Sequence, residues 1–261
     1  MAGALLGAVG LFACDGQISG DGGSADPRDM VGDDARKVSL GPAVGRRLTR
    51  EELVNSIDVV LGVELDPDIY DLPRDARVPE GFRNAAQDLL LSPARVEAYD
   101  AMAEAAVAQS GVASFVSRYA ACTEMTEGCY DGFVNGVGLL LLRRPVADAE
   151  RALFTRLFAI VEEEGEGFEA GAALVMRAML QSPRFLYRLE SQNGGQAGQG
   201  REVDLYELAT RHSFLIWNAA PDEELLGLAS DGTLLDDIDA QVERLLEHPH
   251  ARRAFRQYIE Q

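Results

Sequence analysis

The chain has 261 residues, 47% hydrophobic and 26% charged, which is enough apolar chain for a sizeable core in roughly one to three domains. It carries 43 acidic against 24 basic residues, a net charge of −19. Such a surface repels nucleic acid phosphates and anionic lipid, which excludes DNA or RNA binding and a polybasic route to a membrane.

The first element is a short apolar run, Ala2 to Ala13, free of charge and followed at once by polar Asp15-Gly16-Gln17. A dozen residues is too short to span a bilayer, which takes ~20, but suits the apolar region of a signal peptide. The run ends Leu11-Phe12-Ala13-Cys14, the pattern of a bacterial lipobox. There the Cys sulfur takes a diacylglyceryl group and a small preceding residue admits the peptidase. Two acyl chains give stable anchoring. Cys14 is therefore the expected lipidation site, with an ordinary cleaved signal and a chance cysteine as the alternative. No Lys or Arg precedes the run, so a start upstream of Met1, or a misassigned start codon, is expected. Residues 15–45, rich in Gly, Asp and Ser, read as a flexible tether to the membrane. Their aspartates lack calcium-loop spacing.

Helices follow. Thr49 and Glu52 fit a capping box, with Leu53, Ile57, Val60 and Leu61 on one face and Gly62 as the stop. Asp66 to Arg83 reads as a loop. Ser92-Pro93 opens a helix through Val96, Tyr99, Ala103 and Val107. Cys122 and Cys129 flank a short Gly-containing loop. Without Cys14 they form an even pair, so a disulfide in an oxidising compartment is expected over metal or haem ligation. No Cys-x-x-Cys-His and no second Cys/His cluster accompanies them, so no cofactor or metal is predicted.

Gly132 to Leu142 is an apolar helix ending at Arg143-Arg144-Pro145. Asp148 is read as the cap of a helix whose apolar side is Leu153, Leu157, Ile160 and Val161, ending at Gly165. A helix over Phe168–Leu180 and a short segment from Ser182-Pro183 come next, then a Gly- and Gln-rich linker at 191–200. Asp204 to Glu207 resembles a capping box before Leu208, Phe214, Leu215 and Trp217. Pro221 to Glu224 starts another helix, with its acids in the favoured first turn. Two more occupy about 236–247 and 250–261. Phe255, Tyr258 and Ile259 leave an apolar face with no stop signal, so more protein is expected after Gln261. No convincing strand and no βαβ alternation occurs, and the fold class is all-α.

Candidate chemistry is sparse. His212, mid-helix, reads as a packed or half-exposed histidine rather than a general base, having no identifiable partner. His248 and His250, two apart at a helix start, are expected to point apart rather than share a metal. The acidic run Glu162 to Glu166 reads as solvated surface. Arg143, Arg144, Arg184 and Arg188 are expected to pair with carboxylates at helix junctions, with anion binding as the alternative. The chain has no Gly-x-Ser-x-Gly, Walker loop, His-Glu-x-x-His or dinucleotide fingerprint. Paired carboxylates for glycoside hydrolysis carry no signal here, because acids are abundant throughout. No catalytic residue is predicted.

Three stretches resemble a known arrangement. They are Arg46 to Ser56 with Val60-Leu61-Gly62 and Gly81-Phe82-Arg83-Asn84; Arg143-Arg144-Pro145 with Phe168-x-x-Gly171 and Ser182 to Glu190; and Tyr206 to Ala209 with Phe214 to Trp217, Pro221 to Leu226 and Leu228-Ala229. Together they resemble the consecutive domain-of-unknown-function modules 1587, 1595 and 1592 of large exported planctomycete and myxobacterial proteins. The chain departs from the pattern at His212 and at Gly138 to Leu142. The resemblance implies export and two further C-terminal modules, and only loosely a redox role, since some members carry c-type cytochrome domains. It implies no established activity and no site residues.

The expected organisation is a signal segment (1–14), the tether (15–45) and helical modules at 46–110, 111–190 and 201–261. The expected role is a membrane-anchored scaffold or interaction region of a larger exported protein, partnered by other proteins or by the missing modules. The alternative is the N-terminal part of a redox or polysaccharide-related enzyme whose site needs those modules.

Overall fold

The computed structural model describes residues 45–75, 89, 91–189 and 203–260. Cys14, the tether to residue 44, the Gly81–Asn84 motif and the linker at 191–200 lie outside the described residues. Those described form eleven helices and one two-residue strand pair.

β1 (Arg46–Arg47) leads directly into α1 (Arg50–Leu61). The capping box is complete. Thr49 Oγ1 accepts from the Glu52 amide at 3.1 Å, and Glu52 Oε2 accepts from the Thr49 amide at 2.8 Å. Gly62 ends the helix at φ 67°, a left-handed conformation that costs glycine little. α2 (Pro93–Ser110) is capped by Ser92 and has Pro at its first position. It buries Tyr99, Met102, Ala103 and Val107, while Val96 is exposed. α3 (Val112–Tyr119) follows after Gly111. The next loop is stapled to α4 (Glu127–Leu142) by the Cys122–Cys129 disulfide, Cα–Cα 5.2 Å.

α5 (Asp148–Glu163) differs from the reading of its sequence in two ways. Its cap is Ala147, with Asp148 the exposed first helical residue paired to Arg151. Its buried face is Phe154, Phe158 and Val161, whereas Leu153 and Ile160 are exposed. Two adjacent apolar stripes fit the helical period, and the core takes the aromatic one. Phe158 stacks on Tyr130 at 4.3 Å and packs with Phe133 and Phe168. α6 (Phe168–Leu180) approaches so closely that a Cβ on Gly171 would lie 2.3 Å from the Phe158 ring. α7 (Pro183–Leu186) passes into β2 (Tyr187–Arg188), which pairs antiparallel with β1 (Arg46 opposite Arg188, Arg47 opposite Tyr187).

α8 (Leu205–Ile216), α9 (Glu223–Asp231), α10 (Ile238–Glu247) and α11 (Pro249–Ile259) complete the chain. Trp217 is buried at the end of α8 and donates to the Leu245 carbonyl at 2.7 Å. One apolar core runs from Leu48 and Ile57 through Phe133 and Met176 to Phe214 and Leu226, and a second gathers around Trp217, Leu225 and Leu245. No helix among the described residues is long and apolar enough to cross a membrane.

Candidate functional site

Three polar clusters stand out among the described residues. Arg47, buried on β1, donates from Nη2 to Asp75 Oδ1 at 2.6 Å and from Nη1 to the Tyr99 hydroxyl at 3.1 Å. Arg95 Nη2 lies 3.2 Å from the same carboxylate oxygen, and Asp75 Oδ2 accepts from the Arg50 amide at 2.5 Å. Asp75 is thus an almost wholly buried carboxylate between two guanidiniums. Arg46 forks onto Glu52 at 2.8 and 2.6 Å.

A second joint ties α1 to the C-terminal helices. Ser56 Oγ accepts from the Ala220 amide at 2.9 Å, Asn55 Nδ2 donates to Gln257 Oε1 at 2.8 Å, and Arg253 donates to Asp58 at 2.6 Å. Trp217, His248 and His250 meet beside it. The two histidine rings are 4.3 Å apart, which corrects the expectation that they diverge. The reason is that His248 is the extended N-cap of α11, outside the helix. Its Nδ1 accepts from the His250 amide, and His250 Nδ1 is 3.1 Å from Arg253 Nη2. Burial, then Arg253 and His248, lower the His250 pKa.

The third feature is a cleft of about 380 Å³ between the end of α4, α7–β2 and α8. Arg143, Arg144, Arg184, Arg188 and Arg211 line it, together with Tyr187, Tyr206 and Thr210. Arg143 caps α4 in the left-handed region, φ 60° and ψ 23°. That conformation turns the buried guanidinium onto three carbonyls: Phe185 at 3.1 Å, Tyr187 at 2.9 Å, and Arg184. These carbonyls correct the expectation of a carboxylate partner for Arg143. The carbonyls that the α7–β2 turn withdraws from solvent need a donor fork, which an arginine supplies and a carboxylate cannot. Burial, then the neighbouring Arg188, push the Arg143 pKa down to about 10, so it stays charged at neutral pH. Its guanidinium and that of Arg188 lie 5.8 and 4.8 Å from the Phe214 ring centre, within cation–π range.

Arg144 does take a carboxylate, donating to both Glu150 oxygens at 2.7 and 2.8 Å. Arg184 Nε approaches Glu150 at 3.6 Å. Burial raises the Glu150 carboxyl, but the Ala147 amide and Arg144 outweigh it and hold it below its usual range. His212 Nδ1 meets the Leu208 carbonyl of its own helix at 2.9 Å, a local bond that fits a packed helix histidine.

Nothing in the sequence pattern marks Asp75 or Glu150 as partners, because each is one acid among 43. Asn55 and Ser56 stand in a recognised motif, yet their roles at the α1 joint depend on residues about 160 to 200 positions away. Cys122, Glu124 and Cys129 are the one group of metal-ligand type among the described residues, and both sulfurs are in the disulfide.

Three family models match in succession, each described as a protein of unknown function: DUF1587 over residues 46–110, DUF1595 over 129–190 and DUF1592 over 203–261. No curated protein and no solved structure matches the chain. The Asp75 joint thus lies within the first module, the α1 joint links the first to the third, and the arginine cleft opens between the second and the third. The chain belongs to the proteins in which DUF1587, DUF1595 and DUF1592 modules follow one another in that order.

Proposed function

We propose that this chain is an exported lipoprotein, anchored through Cys14, whose three modules act as a scaffold or interaction region of a larger protein. The observation that carries the export reading is the Cys122–Cys129 disulfide, because such a bond persists in oxidising compartments and is rare in the cytosol. Leu11-Phe12-Ala13-Cys14 and the polar segment after it supply the anchor. The scaffold reading is supported by the long-range polar joints, which fix the modules to one another, and by Phe255, Tyr258 and Ile259, which leave an apolar face of α11 exposed.

Metabolic labelling with palmitate tests it. The whole chain, expressed in a bacterial host, incorporates label and shifts to the unprocessed form under globomycin. Cys14→Ser abolishes both effects. Equal labelling of the Cys14→Ser chain, or no labelling of the native one, refutes the anchor.

A further inference from the structure

We propose that the cleft between α4, α7–β2 and α8 binds a small organic oxyanion: a carboxylate, sulfate or phosphate group carried on a body of about monosaccharide size. The cleft's size lies in the range of small-ligand sites, typically ~300–1,000 Å³.

Charge is the first argument. The protein carries a net charge of −19, yet five guanidiniums converge on this cleft. Among the described residues, Asp204 and Glu207 on the lining, Glu150 behind Arg144 and Glu52 near Arg143 oppose them. Among the described residues the cleft's guanidiniums thus outnumber the acids beside them, in a chain where acids are in excess. An anion diffusing near this acidic surface is repelled by most of it and drawn to the cleft.

The division of labour among the arginines is the second. Arg143 forms the floor. Its donors are committed to three backbone carbonyls, which satisfy hydrogen bonds without neutralising its charge. That charge projects into the cleft from a buried position, where screening by water is weak. Arg184 stands at the rim, 44% exposed. Among the described residues its guanidinium reaches only Glu150, at 3.6 Å, beyond a good hydrogen bond. It thus presents a planar donor fork to an incoming oxyanion, the geometry that arginine matches bidentately and lysine does not.

The walls are the third. Tyr187 and Tyr206, with Leu142 and Leu189, offer ring and aliphatic surface for the body of a ligand, and Thr210 offers a hydroxyl. Mixed apolar walls with a few convergent polar groups are the usual composition of small-ligand sites.

Isothermal titration of the whole chain at low, matched ionic strength tests the proposal. The probes are glucuronate, inorganic sulfate and inorganic phosphate, with glucose as the uncharged control. We expect saturable binding of at least one oxyanion and none of glucose. A preference for glucuronate identifies a carboxylate ligand, whereas a preference for sulfate or phosphate identifies the corresponding ester. Arg184→Gln weakens binding about tenfold or more, the loss of one charge-assisted contact. Thr210→Glu, which places a negative charge in the wall, weakens it further. Arg118→Gln, on an exposed arginine of α3, leaves it unchanged. Native circular dichroism for each variant separates lost binding from lost fold. Absence of saturable binding for all three oxyanions overturns the proposal, as does unaltered affinity in folded Arg184→Gln.

Discussion

Replacing Arg143 by alanine and by glycine separates two contributions that the residue combines. Both substitutions delete the guanidinium and its three carbonyl bonds. A hydrogen bond to a charged donor contributes about 1.5–3 kcal/mol, but deletion also relieves the desolvation of a buried cation. Both variants should therefore lose about 3 kcal/mol, less than the three bonds added together. The variants then differ in the backbone. At φ 60° a Cβ costs about 1–2 kcal/mol, which alanine bears and glycine does not. Glycine's larger unfolded-state entropy returns about 0.4–1 kcal/mol of that advantage. Arg143→Gly should thus exceed Arg143→Ala in stability by about 0.5–1 kcal/mol, the reverse of their order inside a helix. Urea unfolding reports the difference through the fluorescence of the single, buried Trp217. With a slope of about 2–3 kcal/mol/M, the alanine midpoint falls about 0.3 M below the glycine one. Equal midpoints, or a more stable alanine variant, would refute the strain argument. Native-like stability of both would refute the anchoring role.

Asp75→Asn should be the more damaging single change, because it leaves Arg47 and Arg95 buried together without their shared carboxylate; about 3–5 kcal/mol is expected in the same assay. Cys122→Ser with Cys129→Ser opens a short loop and should cost about 2 kcal/mol, with dithiothreitol lowering the native protein to the same level and leaving the variant unmoved. His250 titrates below its unfolded value, so the fold favours its neutral form. Its contribution is present above about pH 6.5 and is lost as pH falls below it, where the unfolded chain binds the extra proton. The groups that face it are His248, Arg253, Asp58 and Asp222. The native chain should lose more stability than His250→Gln on moving from about pH 7.5 to about pH 5.5, and parallel losses would refute the assignment.

The helices were legible because their ends are local chemistry. Thr49 and Glu52, Ser92 and Pro93, and the left-handed Gly62 each act on atoms within a few residues. Helix faces were less legible. On α5 both Leu153–Ile160 and Phe154–Phe158 fit the period, and only the packing of Tyr130, Phe133 and Phe168 selects between them. The short β1–β2 pair escaped notice because two residues hold no periodicity. In the cleft, the arginines were visible as a recurring residue type, but their partners were not. Even Glu150, only six positions from Arg144, is not marked out among 43 acids. The three carbonyls that hold Arg143 lie more than forty positions away and have no sequence signature at all.

The buried and exposed arginines of the cleft therefore have distinguishable roles. Arg143 fixes the α7–β2 turn, and that turn carries Arg184 at one end and Tyr187 and Arg188 at the other. Releasing the turn moves the rim of the cleft as well as weakening the fold. Arg184 makes no comparable bond, so its loss leaves the turn in place. Stability and anion affinity should consequently fall together in Arg143→Ala, whereas affinity alone should fall in Arg184→Gln. The comparison is informative because a purely structural cluster predicts no affinity to lose. A surface patch that attracts anions by charge alone predicts the same loss of affinity for both substitutions, since each removes one positive charge.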